Sequence, residues 1–133
     1  ETTQTCTAGA GTLSLEFGML SRLTNDSRFE TAARNAVAAL FARRSSLDLL
    51  GGLIDVETGQ WSDRSSSLGA GGDSFYEYLF KSYVLFGHQR ELQMFTKSFN
   101  AIQNYMKSSN NWYFIVDMNN GQVLRRNADS LGA

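Results

Sequence analysis

One order of segments, helix, helix, hairpin, is written twice along this chain, and any fold it adopts must give the two copies related surroundings. Apolar residues recur at helical spacing from Thr12 to Thr24 (Leu13, Phe17, Leu20, Leu23) and, after a break, from Arg28 to about Arg44 (Phe29, Ala32, Ala33, Val37, Leu40, Phe41). "GLIDVETGQW" then reads as two short β-prone runs around Glu57-Thr58-Gly59. The order resumes with a helical stretch from Ser74 to Phe86, a "GHQR" turn, a second helix from Glu91 to Lys107, and "WYFIVDMNNGQVLRR", a hairpin about Asn120-Gly121. Gly9-Ala10-Gly11 precedes the first helix as Gly69-Ala70-Gly71 precedes the second pair. Leu15-Glu16-Phe17 matches Tyr76-Glu77-Tyr78 at an offset of 61, and Ser21 matches Ser82. The repeat units run over about residues 9–68 and 69–126.

Units of this kind stack side by side, and a repeat with its first helix inside and its second outside closes into an α/α toroid. The helix compositions suit that order. Residues 74–86 carry Phe75, Tyr76, Tyr78, Phe80, Tyr83 and Phe86 on nearly every side, as a helix buried all round does. The helix before Arg44 has an alanine stripe backed by Glu30, Arg34, Asn35, Arg43 and Arg44, which suits an outer helix with one wet face. The fold class predicted is therefore all-α with small β-hairpins. Two repeats cannot close a ring, and Asp129-Ser130 reads as the cap of a further helix, so the expectation is an internal segment of a larger domain.

A formal net charge of −1 gives no long-range pull toward nucleic acid, and no apolar run approaches the roughly 20 residues that span a bilayer. Cys6 is the only cysteine, which excludes an internal disulfide; it reads as a small buried residue or as one half of a bridge to a partner or oxidoreductase outside the chain. His88, the only histidine, reads as an exposed loop residue, and any Ser-His-acid arrangement would have to be built on it. Asn25-Asp26-Ser27 is an N-glycosylation sequon with Asn25 as the acceptor, informative only in a secretory protein. Ser27-Arg28-Phe29-Glu30 has the pattern of a capping box.

The chemistry concentrates in "GAGGDSFYEYLF". Asp73 and Glu77 are one helical turn apart, so their like charges cost a few tenths of a kcal/mol, about 0.2–0.5, unless something offsets them. Ser74 through Glu77 would form a capping box, Asp73 suits the positive end of the helix dipole, and Lys81 lies one turn beyond Glu77. A phosphate cradle is excluded, because a serine-rich loop rather than a strand precedes the glycines and the helix opens on an acid. An acid site is the other reading. Glu16 and Glu77 occupy equivalent places in the two repeats, and carboxylates gathered among aromatic rings suit a sugar, binding its hydroxyls or acting as acid and base in glycoside hydrolysis. Glu16 alone also reads as an ordinary helix-start glutamate.

"GAGGDSFYEYLFKSYVLFG", "TCTAGAGTLSLEFGMLSRLTNDSRFE", "IDVETGQW" and "NWYFIVDMNNG" together resemble the class I α-1,2-mannosidases of glycoside hydrolase family 47, in the branch of ER degradation-enhancing α-mannosidase-like proteins. The resemblance covers almost the whole chain, with "DSFYEYL" its most specific motif. It implies an (α/α)7 barrel, a lumenal enzyme of the endoplasmic reticulum, Ca²⁺ dependence, and inverting removal of α-1,2-linked mannose from high-mannose N-glycans on misfolded glycoproteins. It implies that Asp73 is one of the catalytic acids and that Glu16 and Glu77 hold the sugar. The other catalytic carboxylates and the calcium-binding threonine are expected outside residues 1–133, so no metal ligand is assigned within them. Processing mannosidases of the family have arginine where this chain has Gly18 and Gly71, departures that mark the degradation branch. Alternatives on the same fold are a catalytically silent module that binds mannose glycans or client proteins, and a helical scaffold with no ligand.

Overall fold

A computed structural model describes residues 2–126. The first half runs β1 (Gln4–Cys6), α1 (Thr7–Gly11), α2 (Ser14–Thr24), α3 (Arg28–Ala42), β2 (Leu53–Asp55) and β3 (Trp61–Asp63). The second runs β4 (Ser65–Ser66), α4 (Asp73–Phe86), α5 (Gln89–Tyr105), β5 (Ile115–Asp117) and β6 (Val123–Arg125). The strands form two three-stranded antiparallel sheets, β1-β2-β3 and β4-β5-β6. Each expected hairpin therefore gains a leading strand that was not read from sequence. "QTC" and "SS" are too short and polar to show alternation, and they become strands only by pairing, Thr5 with Ile54 and Ser66 with Val116.

Both hairpin turns close in the same way. Gly59 N–H donates to the Asp55 carbonyl and Gly121 N–H to the Asp117 carbonyl, each at 2.8 Å. The second turn thus spans Asp117 to Gly121 and is no two-residue Asn-Gly turn, because Asp117 Oδ1 accepts from Asn119 N–H at 2.8 Å and starts it earlier.

The helices depart from expectation at their starts. Gly9-Ala10-Gly11 lies inside α1, where Cys6 Sγ accepts from Gly9 N–H at 3.1 Å; Cys6 is half-buried and caps this short helix. Neither capping box forms. Asp26 Oδ1 takes the Arg28 N–H at 3.0 Å, and Ser21 Oγ takes the Glu30 N–H at 2.8 Å, so Ser27 has no donor to cap. At α4 the chain is already helical at Asp73, whose N–H bonds to the Gly69 carbonyl at 3.1 Å, one residue too early for Ser74 to act as the cap. The far ends follow rule: α2 stops at Asn25 and α4 at Gly87, both left-handed, with φ of 54° and 75°.

The core lies where α3, α4 and α5 meet the sheets. It contains Val37, Leu40, Phe41, Leu49, Leu50, Phe75, Leu79, Met94, Ile102, Met106, Val116 and Met118. Each such side chain contributes about 1.5–3 kcal/mol by leaving water. Helix α4 is not buried all round in this chain. Phe75, Tyr76, Leu79 and Ser82 face inward, while Phe80, Val84 and Leu85 are exposed. Asp129-Ser130, read as a further cap, lies outside the described residues.

Candidate functional site

Helix α4 contains no glycine or proline between Asp73 and Phe86, and its buried Phe75 and Leu79 fix which way it faces. That leaves Tyr78 toward α2, which packs beside α4, while Glu77 is exposed. The Tyr78 hydroxyl donates to Glu16 Oε1 at 2.6 Å, joining two residues 62 apart in sequence. Glu77 Oε1 accepts from Lys81 Nζ at 2.7 Å, the one-turn pair expected from spacing. Asp73 is half-buried at the first turn of α4, and its Oδ1 accepts from the Ser74 N–H at 2.7 Å.

Tyr78 thus bridges α4 to Glu16 of α2, and the charge of Glu77 also acts on its hydroxyl. The hydrogen bond to Glu16, with the nearby charges of Glu16 and Glu77, holds the Tyr78 hydroxyl above the usual phenol range, so it stays a proton donor. Tyr76, one residue before Glu77, is pushed up to about 12 by burial. Asp73 begins the helix that carries Glu77. The arrangement offers carboxylate oxygens to hydroxyl groups beside aromatic side chains, and the like charges of Asp73 and Glu77 have separate partners, the Ser74 N–H for one and Lys81 for the other.

His88 is not an exposed loop residue. Its Nδ1 is 2.8 Å from Ser82 Oγ and its Nε2 is 2.8 Å from Glu30 Oε1, with the side chain 11% exposed. These are the members of a Ser-His-acid arrangement, but Ser82 is fully buried, so no substrate reaches its hydroxyl. The chain of bonds joins α4 to α3 and is structural. Sequence did hold a signal for it: Ser21 and Ser82 are repeat equivalents, and each buried hydroxyl bonds into the turn or helix that follows its own helix.

Asn25 sits exposed at the α2–α3 turn, nine residues along α2 from Glu16. Calcium needs several oxygen ligands at once. Among the described residues no group of three or more His, Cys, Asp or Glu gathers. Among the same residues no helix is long and apolar enough to cross a membrane.

The two departures at glycine have different physical settings. Gly71 has φ of 92°, a conformation that side chains rarely adopt, and its carbonyl accepts from Ala8 N–H at 2.8 Å. At Gly18 a Cβ would lie 2.7 Å from the Phe86 ring. The Arg22 guanidinium lies 3.9 Å from the centroid of that ring.

Two helix pairs, each with its own three-stranded sheet, form a segment of an (α/α)7 barrel. The α-1,2-mannosidase from Trichoderma reesei has this fold: it superposes with a TM-score of 0.76 at 24% identity, over 90% of this chain and 27% of that one. The family model for glycosyl hydrolase family 47 matches residues 1–133, and the chain belongs to that family. Its relatives include alpha-mannosidase I MNS5 of Arabidopsis thaliana, 52% identical over 92% of this chain and 21% of that protein. Another is the ER degradation-enhancing alpha-mannosidase-like protein 1 of Schizosaccharomyces pombe, 45% identical over 100% of this chain and 17% of that protein. The chain spans about a fifth of the length of these curated relatives.

Proposed function

We propose that the chain is a segment of an α-1,2-mannosidase domain that trims high-mannose N-glycans of misfolded glycoproteins in the lumen of the endoplasmic reticulum. The observation that supports this reading is the Tyr78–Glu16 hydrogen bond between the first helices of successive pairs, with Glu77 next to Tyr78 and Asp73 opening the same helix, in a family 47 chain. The names of the relatives, mannosidase and ER degradation-enhancing protein, support the substrate class and the compartment.

In this reading Asp73 is one of the catalytic acids, and Glu16 and Glu77 accept hydrogen bonds from mannose hydroxyls. Inverting hydrolysis needs two carboxyl groups about 6.5–9.5 Å apart, one protonating the leaving oxygen and the other activating water on the opposite face. Asp73 supplies one of them, and its counterpart lies outside these residues. The Asp73 Oδ1 bond to the Ser74 N–H fixes one carboxylate oxygen, and no bond from the described residues is made to Oδ2. Calcium, where the whole protein binds it, supplies a hard cation for sugar oxygens; its ligands belong to other parts of the protein.

Asp73→Asn in the full-length protein is the test. It keeps shape and hydrogen bonding at the helix start but cannot exchange a proton, so kcat for mannose release is expected to fall by about 10²–10⁴ with glycan affinity retained. Unchanged trimming rejects the role of Asp73. A second reading, a silent mannose-glycan-binding or client-binding module, is favoured by the absence of arginine at Gly18 and Gly71. Glycan binding without turnover in the unmodified protein decides for it.

A further inference from the structure

The two glutamates are held in different ways, and the difference assigns a role to a residue so far unassigned. Glu77 is paired with a cation on its own helix, the Lys81 Nζ at 2.7 Å. Glu16 is held between helices by a neutral donor, the Tyr78 hydroxyl of α4 at 2.6 Å. A phenylalanine at position 78 would leave Glu16 without a donor among the described residues.

We propose that Tyr78 is the positioning residue of the sugar site, fixing the Glu16 carboxylate so that Oε2, which takes no bond from the described residues, accepts from a mannose hydroxyl. An exposed glutamate ordinarily samples many rotamers, and freezing one on ligand binding costs conformational entropy. A short O–H···O⁻ bond from a ring with only two torsions imposes that order before the sugar arrives. The role requires a protonated phenol, and Glu16 and Glu77 together hold the hydroxyl in that state. Tyr78 acts through Glu16 and need not touch the sugar.

This inference rests on the sugar-site reading, and the test separates the two. In the full-length protein, Tyr78→Phe keeps the ring and removes the donor. The expected result is a rise of about tenfold in KM, or in Kd for a high-mannose glycan if turnover is absent, with kcat within about twofold of the unmodified protein. Glu16→Gln should in addition lower the pH at which Tyr78 ionises, followed as the tyrosinate absorbance lost on Tyr78→Phe. A purely structural tyrosine would lower the melting temperature and leave KM and Kd alone, and that outcome overturns the inference. So does a Tyr78 titration that ignores Glu16→Gln. An unmodified protein that neither binds nor trims mannose glycans overturns the sugar reading and this inference with it. Binding that Tyr78→Phe leaves unchanged overturns this inference alone.

Discussion

Gly18 has the ring of Phe86 standing over it, and Arg22 stacks on that ring while donating to the Gly18 carbonyl at 2.7 Å and to Glu30 at 2.9 Å. A methyl group placed here meets an aromatic ring that is held from the other side. Gly18→Ala is therefore expected to destabilise the full-length protein by about 1–2 kcal/mol, although alanine is the better helix former by about 1 kcal/mol. Urea unfolding measures it. If the variant is more stable, the ring yields and the contact sets no limit; in a Phe86→Leu background the alanine should regain its helix advantage. In sequence, the family resemblance implies only that Gly18 and Gly71 stand where arginine is expected in processing enzymes. The packing at Gly18 and the left-handed backbone at Gly71 are visible only after folding, because neither is a property of neighbouring residues.

At the scale of elements, the first hairpin turn carries a carboxylate that titrates with folding. Asp55 accepts from the Thr3 hydroxyl at 2.5 Å and from Thr58 N–H at 2.8 Å, Thr58 Oγ1 at 2.9 Å and Glu57 N–H at 3.1 Å. These bonds, the one from Thr3 foremost, hold its pKa down from the ordinary 3.8 to about 2. A carboxyl whose folded pKa is depressed stabilises the fold above its unfolded pKa and loses that contribution as pH falls through the folded value. The contribution of Asp55 should therefore fade between about pH 4 and pH 2. Urea midpoints at pH 4, 3 and 2 should converge for the unmodified protein and Asp55→Asn; a constant gap between them rejects the linkage. Both hairpins are legible in sequence because Asp, Gly and β-branched residues sit at the turns and flanks. The leading strands and the helix starts are not, since the pairing of Gln4–Cys6 with β2 and the capture of Glu30 N–H by Ser21 depend on residues brought from elsewhere.

For the whole molecule, the exposed apolar residues are as informative as the buried ones. Val84 is 66% exposed, Leu85 54% and Leu23 78%, on first helices whose sequences suit burial. A closed toroid covers such faces with neighbouring repeats. Spanning about a fifth of the length of its relatives, the 133-residue chain alone is expected to release no mannose from a nine-mannose glycan; under the proposed function the full-length protein is expected to release it and to lose activity with a calcium chelator. Release by the isolated chain, or chelator-resistant trimming by the whole protein, contradicts that expectation.

By itself the sequence determined the alternation of helices and hairpins, the doubling of that unit, and the position of Asp73, Glu16 and Glu77 near helix starts. These follow from periodicity and from equivalence between repeats, which are one-dimensional. Tertiary structure alone decided that Tyr78 reaches Glu16, that His88 is half-buried between Ser82 and Glu30, and that Ser74 caps nothing. Each of these depends on a hydrogen bond, or the lack of one, that local spacing does not fix. Tyr78 and Glu16 are 62 residues apart, and only the packing of α4 against α2 brings a hydroxyl within 2.6 Å of a carboxylate.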